Sequence, residues 1–338
     1  MTFKAVLLTS LLITAATIGL LLLKPAASDA RAPTAAAAFL AYNRQFGKTH
    51  GSQAERDYRF GVFRENKAFI ERENAKGRSF TLGENAFTDL SFEEFASKYL
   101  SAIPLHNKPI KSAQAGPRVA ASKDWRQDGK VTAVKNQGAC GSCWAFSTIG
   151  SLESAWAIAH DELLSLSEME LVDCSGSYGN NGCNGGLMSN GFDYIKANQV
   201  ALEGDYPYRP VAGACHVDKT RRRIGVVDYQ GLLPSNVDGL TQALDTNPVS
   251  VAIEVRQDFQ LYKGGVYSND DDSCGSALNH GVLAVGYNTQ DEGGYVIVKN
   301  SWGADWGEQG YVRMALGAGS SSGTCGIANE ADVYPTVA

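Results

Sequence analysis

All seven cysteines of this 338-residue chain fall between Cys140 and Cys325. An odd, locally concentrated set constrains the fold of the second part of the chain. It suits three disulfides plus one free thiol in an oxidising compartment. Seven reduced cysteines in a cytosolic protein is the other reading of the count. Two of the seven stand three residues apart in Gln137-Gly138-Ala139-Cys140-Gly141-Ser142-Cys143-Trp144-Ala145-Phe146-Ser147. The stretch opens like a turn and closes like the first turn of a helix, which puts Cys143 at a predicted helix N-terminus. A thiol there feels the positive end of the helix dipole, which favours the thiolate. Nucleophile, metal ligand or half of a disulfide: the residue types alone leave all three open.

The net charge of −6 hides an asymmetry. Residues 1–118 carry 16 Lys/Arg against 10 Asp/Glu, and residues 119–338 carry 14 against 26. An acidic second part argues against nucleic acid as its partner and suggests that the two parts attract each other. Lys4, the uncharged run Ala5 to Leu23 and the small residues Ala26 to Ala30 read as a secretory signal over residues 1–30. The run also approaches the ~20 residues that span a bilayer, so an uncleaved anchor is the alternative. From about Thr34 to Ala75 the chain reads helical, with Arg59, Phe63, Asn66, Ile70 and Asn74 on one face and an ion pair expected between Glu55 and Arg59. Gly83 to Leu90 alternates like a short strand, and Asp89 or Ser91 is placed to cap a helix through Glu94 to Tyr99. Ile103 to Ala121, with three prolines, reads as an exposed, cuttable linker.

Beyond the linker, Ile149, Leu152, Trp156 and Ala159 form the expected inner face of the helix that Cys143 begins. Ser167 to Glu170 reads as a capping box, with Leu166 and Leu171 as its staple. After Cys183 a helix with Met188, Phe192 and Ile195 inward is predicted. Then the pattern turns to strands: Val249 to Val255, Gly281 to Tyr287, Tyr295 to Lys299 and Gly310 to Met314. A helical first half and a sheet-rich second half make an α+β body with a cleft between the halves. If Tyr287 faces Tyr295 across a hairpin, His280 arrives near Asn300 and Trp302 on one face of the sheet. An asparagine oxygen there fixes the imidazole tautomer, which leaves the other ring nitrogen for a thiol.

Cys140-Gly141-Ser142-Cys143-Trp144, with His280 137 residues and Asn300 157 residues after Cys143, resembles papain-family cysteine proteases, and cathepsin L-like ones most. The helix set Glu55, Arg59, Phe63, Asn66, Ile70 and Asn74 matches the spaced motif of such proenzymes, and Gly83, Asn85, Phe87 and Asp89 match a second prosegment motif. The resemblance covers almost the whole chain. It implies a papain-like two-lobed α+β fold: a helical lobe, a β-barrel-like lobe, the active-site cleft between them and a helical prosegment in front. The corresponding division is 1–30 signal peptide, 31–118 inhibitory prosegment and 119–338 mature peptidase.

The resemblance further implies Cys143 as nucleophile, His280 as general base and acid, Asn300 as its orienter with Trp302 packed over it, and Gln137 as oxyanion donor with the Cys143 N–H. It implies disulfides Cys140–Cys183, Cys174–Cys215 and Cys274–Cys325. Gly185 and Gly186 would present backbone to an extended peptide. Leu187, Met188, Leu278 and Gly281 would line the specificity pocket for a hydrophobic residue two before the cut, with Glu330 at its floor admitting a basic one as well, and Asn279 and Trp302 would also meet the substrate. Asn279 stands where many relatives carry Asp, and nothing resembles the occluding loop of cathepsin B, which favours endopeptidase activity. No cofactor and no metal is implied. A zinc site from Cys140, Cys143, Cys174 and Cys183 would leave His280 and three cysteines unexplained. Expected partners are peptide and protein substrates, the chain's own prosegment and cystatin-type inhibitors, around a monomer. The expected location is the secretory pathway, a lysosome-like digestive vesicle or the exterior. No Asn-x-Ser/Thr sequon occurs. A non-catalytic peptide binder, and an inhibitor in which residues 31–118 act alone, are the competing classes.

Overall fold

The computed structural model describes residues 34–103, 120–270, 273–275, 277–291, 293–317, 321–329 and 332–338. The predicted leader, most of the linker and Glu330 lie outside them. No helix among the described residues is long and apolar enough to cross a membrane.

The N-terminal region is helical but not continuous. Thr34 caps α1 (Ala35–Gln45), the chain breaks at Gly47 with φ +60°, and Ser52 caps α2 (Gln53–Asn74) through the Glu55 N–H. Glycine accepts that left-handed conformation without a Cβ clash, which is why one predicted helix becomes two. The α2 face predicted from spacing does turn inward. Phe63, Asn66 and Ile70 are buried, Asn66 Nδ2 donates to the carbonyls of Thr88 and Leu90, and Asn74 bonds both ways with the Leu82 backbone. Arg59 pairs with Glu94 at 2.8 Å, not with Glu55, whose carboxylate accepts from the Gly51 N–H instead. Tertiary placement of a partly buried partner prevails over a solvated i,i+4 pair.

The strand expected over Gly83 to Leu90 sits earlier, as β1 (Phe80–Leu82). Residues 85–88 close a compact turn instead: Asn85 Oδ1 accepts from the Phe87 N–H and Thr88 Oγ1 from the Asn85 N–H. Side chains that bond their own backbone compete with a ladder. Ser91 caps α3 (Phe92–Tyr99) in a full capping box with Glu94.

The body follows. β2 (Ser122–Asp124) pairs β8 (His280–Asn288). The first half holds α4 (Cys143–His160), α5 (Glu168–Cys174), α6 (Met188–Asn198) and the small ribbon of β3 (Val200–Ala201) with β4 (Arg223–Ile224). β5 (Asp228–Gly231) is followed by α7 (Val237–Leu244), which is capped by Asn236 and was not foreseen. The rest is β6 (Val249–Ile253), the short α8 (Gln257–Gln260), β7 (Tyr262–Tyr267), β8, β9 (Tyr295–Lys299), β10 (Tyr311–Ala315) and β11 (Val333–Thr336). The sheet runs β1-β7-β10-β9-β8-β6-β11-β5, with β2 on β8. Its edge strand β1 comes from the N-terminal region and adds antiparallel to β7.

Two apolar cores result, one around Ile149, Leu152, Met169, Leu171, Phe192 and Ile195, the other around Val251, Val282, Val298, Trp306 and Val312. Ile70, Leu82, Phe87, Phe95 and Leu100 join the second core, while Phe39, Tyr42 and Phe63 form a small cluster of their own. The N-terminal region therefore leans on the body for much of its burial. α4 runs between the halves and is buried from Cys143 to Ala155, so its sequence shows little amphipathic contrast. Ala159, expected inward, is exposed at its end. Ser167 caps α5 through the Glu170 N–H, but the box stays open because the Glu170 carboxylate turns to Arg223, Tyr194 and the Ala201 N–H.

Candidate active site

Disulfides join Cys140 to Cys183, Cys174 to Cys215 and Cys274 to Cys325, and Cys143 is the free thiol. Three of the four sulfurs in the zinc reading are thereby committed elsewhere. The Cys140–Cys183 bond and the Gly141 N–H on the Cys183 carbonyl (3.0 Å) tie the loop before α4 to the loop before α6. Cys143 opens α4, fully buried, and its Sγ accepts from the Gly281 N–H at 3.3 Å. A Cβ on Gly281 would meet the Trp144 backbone at 3.2 Å. That glycine allows the close approach of strand to helix.

His280 begins β8, directly beside that contact. Its Nε2 lies 2.8 Å from Asn300 Oδ1, and its ring stacks on Trp302 with centroids 4.6 Å apart. Its Nδ1 is buried with no hydrogen-bond partner among the described residues. Asn300 Oδ1 also accepts from the Ser301 N–H at 2.8 Å, so the amide is held from two sides. The expected hairpin register is wrong at its turn, where Asn288 faces Tyr295 and Tyr287 faces Val296. A bulge between Ala284 and Gly286 absorbs one residue, and beyond it Leu283 faces Lys299. The extra residue shifts the pairing at the His280 end back to the parity assumed from sequence.

Gln137 is fully buried. Its Oε1 accepts from Ser301 Oγ at 2.7 Å, which fixes Nε2 as the donor end, and Nε2 donates to the carbonyls of Cys140 (2.8 Å) and Tyr99 (2.9 Å). The N-terminal region thus occupies the site itself. Ser101 Oγ stands 3.7 Å from Cys143 Sγ, the Ser101 N–H donates to the Asn279 carbonyl, and the Ile103 N–H donates to the Leu278 carbonyl. A Cβ on Gly185 would meet the Ala102 carbonyl oxygen at 3.2 Å, and one on Gly186 the Trp144 ring at 2.7 Å. Ile103 falls in the same apolar cluster as Leu187, Met188 and Leu278. The Asn279 side chain is spent on the backbone of Val255.

Burial raises the Cys143 thiol, against the Gly281 N–H, Ser101 hydroxyl and its own helix N–H groups. Burial lowers the His280 imidazole to about 4, against the bond to Asn300. Burial thus disfavours the charged form of both partners while the N-terminal segment covers them. Behind Asn300 and Ser301, Lys135 lies between Glu168 (2.7 Å) and Glu153 (3.0 Å). Burial pulls its ammonium down, and the two carboxylates more than restore it. Sequence reasoning missed Ser301, Tyr99 and Tyr208. Ser301 had a cue in following Asn300; the other two had none.

A model of the papain family of cysteine proteases matches residues 119–336, and one of the cathepsin propeptide inhibitor domain (I29) matches residues 39–95. The chain belongs to the papain family. Among relatives, it is 46% identical over 293 residues to "Probable cysteine protease RD21B" of Arabidopsis thaliana, across 85% of this chain and 62% of that protein. It is 42% identical over 307 residues to "Thiol protease aleurain" of the same plant, across 89% and 84%. The chain spans 62% and 63% of the length of the two RD21 relatives. Among solved structures, a recombinant stem bromelain precursor superposes with a TM-score of 0.83 at 37% identity, over 90% of this chain and 99% of that one. Digestive procathepsin L 3 of Tenebrio molitor larval midgut gives 0.81 at 36%, over 90% and 100%. The papain-family fold thus extends to the covering N-terminal segment in both precursors.

Proposed function

We propose that the chain is a cysteine endopeptidase made as a latent precursor, with Cys143 as nucleophile, His280 as base and acid, Asn300 as orienter and Gln137 as oxyanion donor. The observation that carries this reading is the free thiol at the start of α4, beside a histidine whose other nitrogen is bonded to Asn300 at 2.8 Å. Once water reaches the site, the orphaned Nδ1 takes the thiol proton, and the thiolate rests at the positive end of α4. The thiolate attacks a peptide carbonyl carbon, and the carbonyl electrons move onto oxygen, facing Gln137 Nε2 and the Cys143 N–H. The imidazolium protonates the leaving amine as the C–N bond breaks; water then hydrolyses the thioester with the imidazole as base.

Residues 31–118 are the inhibitory prosegment in this reading, 119–338 the peptidase and 1–30 the secretory leader. Three disulfides support an oxidising route to a digestive vesicle or the exterior. The apolar company of Ile103, Leu187, Met188 and Leu278 supports a hydrophobic residue two before the cut. With that residue at Leu278, a substrate passes Cys143 in the direction opposite to the segment Tyr99 to Ile103. Latency follows because no prosegment carbonyl is presented for attack with its amine on the leaving side. Acid-activated wild type and Cys143→Ser, profiled on a peptide library, test the reading. Hydrolysis by wild type, lost in Cys143→Ser at unchanged thermal stability, supports it, and equal hydrolysis by both overturns it. The same library reads whether a basic residue is also accepted, as Glu330 implies.

A further inference from the structure

The hydroxyl of Tyr208 touches both ends of the loop that carries the two proposed oxyanion donors. It donates to the backbone carbonyl of Gln137 at 2.7 Å and stands 2.7 Å from Ser142 Oγ. A phenol has one proton, so Ser142 is the donor in the second bond. Between Gln137 and Ser142 the chain turns through Gly138 at φ +58° and the disulfide-bonded Cys140. Gln137 contributes its side-chain amide, and Ser142 immediately precedes Cys143, whose N–H is the second donor. One oxygen atom thus sets the spacing of both.

Ser142 holds the N-cap position of α4, where a serine hydroxyl ordinarily accepts from an N–H of the first turn. It makes no such bond here; its carbonyl takes the Ala145 N–H at 2.8 Å, and its hydroxyl is turned to Tyr208. The N–H groups of Cys143 and Trp144 are left to the thiol, and both favour its anion. Tyr208 is itself well anchored, edge-on to Phe146 of α4 with centroids 4.8 Å apart and with its N–H on Glu203 Oε1 at 2.9 Å. Burial pushes its phenol up to about 12, so it remains a neutral donor.

We propose that Tyr208 is a positioning residue for peptide hydrolysis, its hydroxyl clamping Gln137 to Ser142 so that the Gln137 amide and the Cys143 N–H converge on the oxyanion. The proposal rests on the reading of Cys143 as nucleophile and Gln137 as oxyanion donor. Charge on that oxygen exists only at and after the transition state, so the clamp acts on kcat and leaves substrate binding alone.

Tyr208→Phe keeps the ring and its Phe146 contact and removes the clamp. In the mature enzyme it lowers kcat about tenfold, a fraction of the effect of deleting an oxyanion donor, while KM stays within about twofold. Alkylation of Cys143 by iodoacetamide forms no oxyanion and stays within about twofold of wild type. Ser142→Ala alone lowers kcat, and adding it to Tyr208→Phe lowers kcat little further, because the two hydroxyls act as one unit. An unchanged kcat in Tyr208→Phe overturns the proposal. So does a loss of turnover matched by equal loss of alkylation, or fully additive losses in the double variant. Wild type that hydrolyses no peptide defeats the underlying reading, whereas active wild type with an indifferent Tyr208→Phe defeats the clamp only.

Discussion

In the proposed precursor, latency hangs on how firmly α3 is held, and Glu94→Gln probes that hold directly. Glu94 accepts from Arg59 at 2.8 Å and from the Ser91 N–H at 3.1 Å, while Arg59 also reaches the Asp89 carbonyl. The next residue, Phe95, packs edge-on to Trp302 with centroids 5.0 Å apart, and at the helix end the Tyr99 carbonyl sits on Gln137. Loosening the start of α3 therefore loosens the contact on Gln137, the proposed oxyanion donor. A charge-assisted hydrogen bond is worth about 1.5–3 kcal/mol. With the Glu94 side chain 26% exposed, solvent screening reduces this to about 1 kcal/mol. Glutamine keeps an acceptor for the Ser91 N–H, so the loss is mainly the Arg59 charge pair, or about fivefold in the closed-to-open ratio.

The pH dependence gives the prediction its sign. Burial raises the Glu94 carboxyl, but Arg59 and the Ser91 N–H outweigh it and hold it below its ordinary value. A depressed carboxylate stabilises the closed form above its ordinary pKa, and that stabilisation is lost as pH falls through the depressed value. At ~pH 6.5, purified Glu94→Gln precursor should gain fluorogenic peptidase activity about five times faster than wild type. As pH falls through the depressed value, wild-type Glu94 itself takes up a proton and the two rates converge. Identical rates throughout, or a gap that persists undiminished in acid, would refute the coupling of α3 to the site.

Two further outcomes follow from the same geometry. In Gly281→Ala, the new Cβ meets backbone of Trp144 at 3.2 Å with no flexible neighbour to yield. Overpacking there costs about 1–3 kcal/mol, seen as a Tm lowered by about 3–10 °C, with activity falling further as the start of α4 is displaced. Unchanged Tm and activity would show that the helix has room. In the precursor, the raised Cys143 thiol and an imidazole at about 4 leave little thiolate at neutral pH. Iodoacetamide at ~pH 7 should alkylate Cys143 at least ~100-fold more slowly in the precursor than in the mature form, measured by mass spectrometry. Equal rates would contradict the neutral, covered pair.

The described contact between the N-terminal region and the body refines the expectation from net charge. It is built from β1 on β7, from side-chain amide hydrogen bonds such as Asn85 Nδ2 to the Gln260 carbonyl, and from Arg78 opposite Asp258 at 3.6 Å. Several carboxylates sit inside the N-terminal region instead, as in Lys48–Asp89 and Arg59–Glu94. Acid would then act on the segment's own fold as well as on its attraction to the body.

By itself, the sequence determined what depends on local spacing and residue chemistry. The start of α4 at Cys143, the α2 face of Phe63, Asn66 and Ile70, the Ser91 cap and the β9 strand are all set by interactions within a few turns or a single ladder. The family motif tied Cys143, His280 and Asn300 together across 157 positions, and the hairpin parity explained why the last two meet. Only the tertiary structure decided what depends on a partner distant in sequence. Arg59 chose Glu94 over Glu55, the Glu170 carboxylate left its capping box for Arg223, and a bulge at Ala284 to Gly286 restored the register at the His280 end after the turn had shifted it. Tyr208 on Gln137 and Ser142 belongs to the same class. A buried polar group takes whichever partner the fold brings within 3 Å, because leaving it unpaired costs more than any local preference supplies.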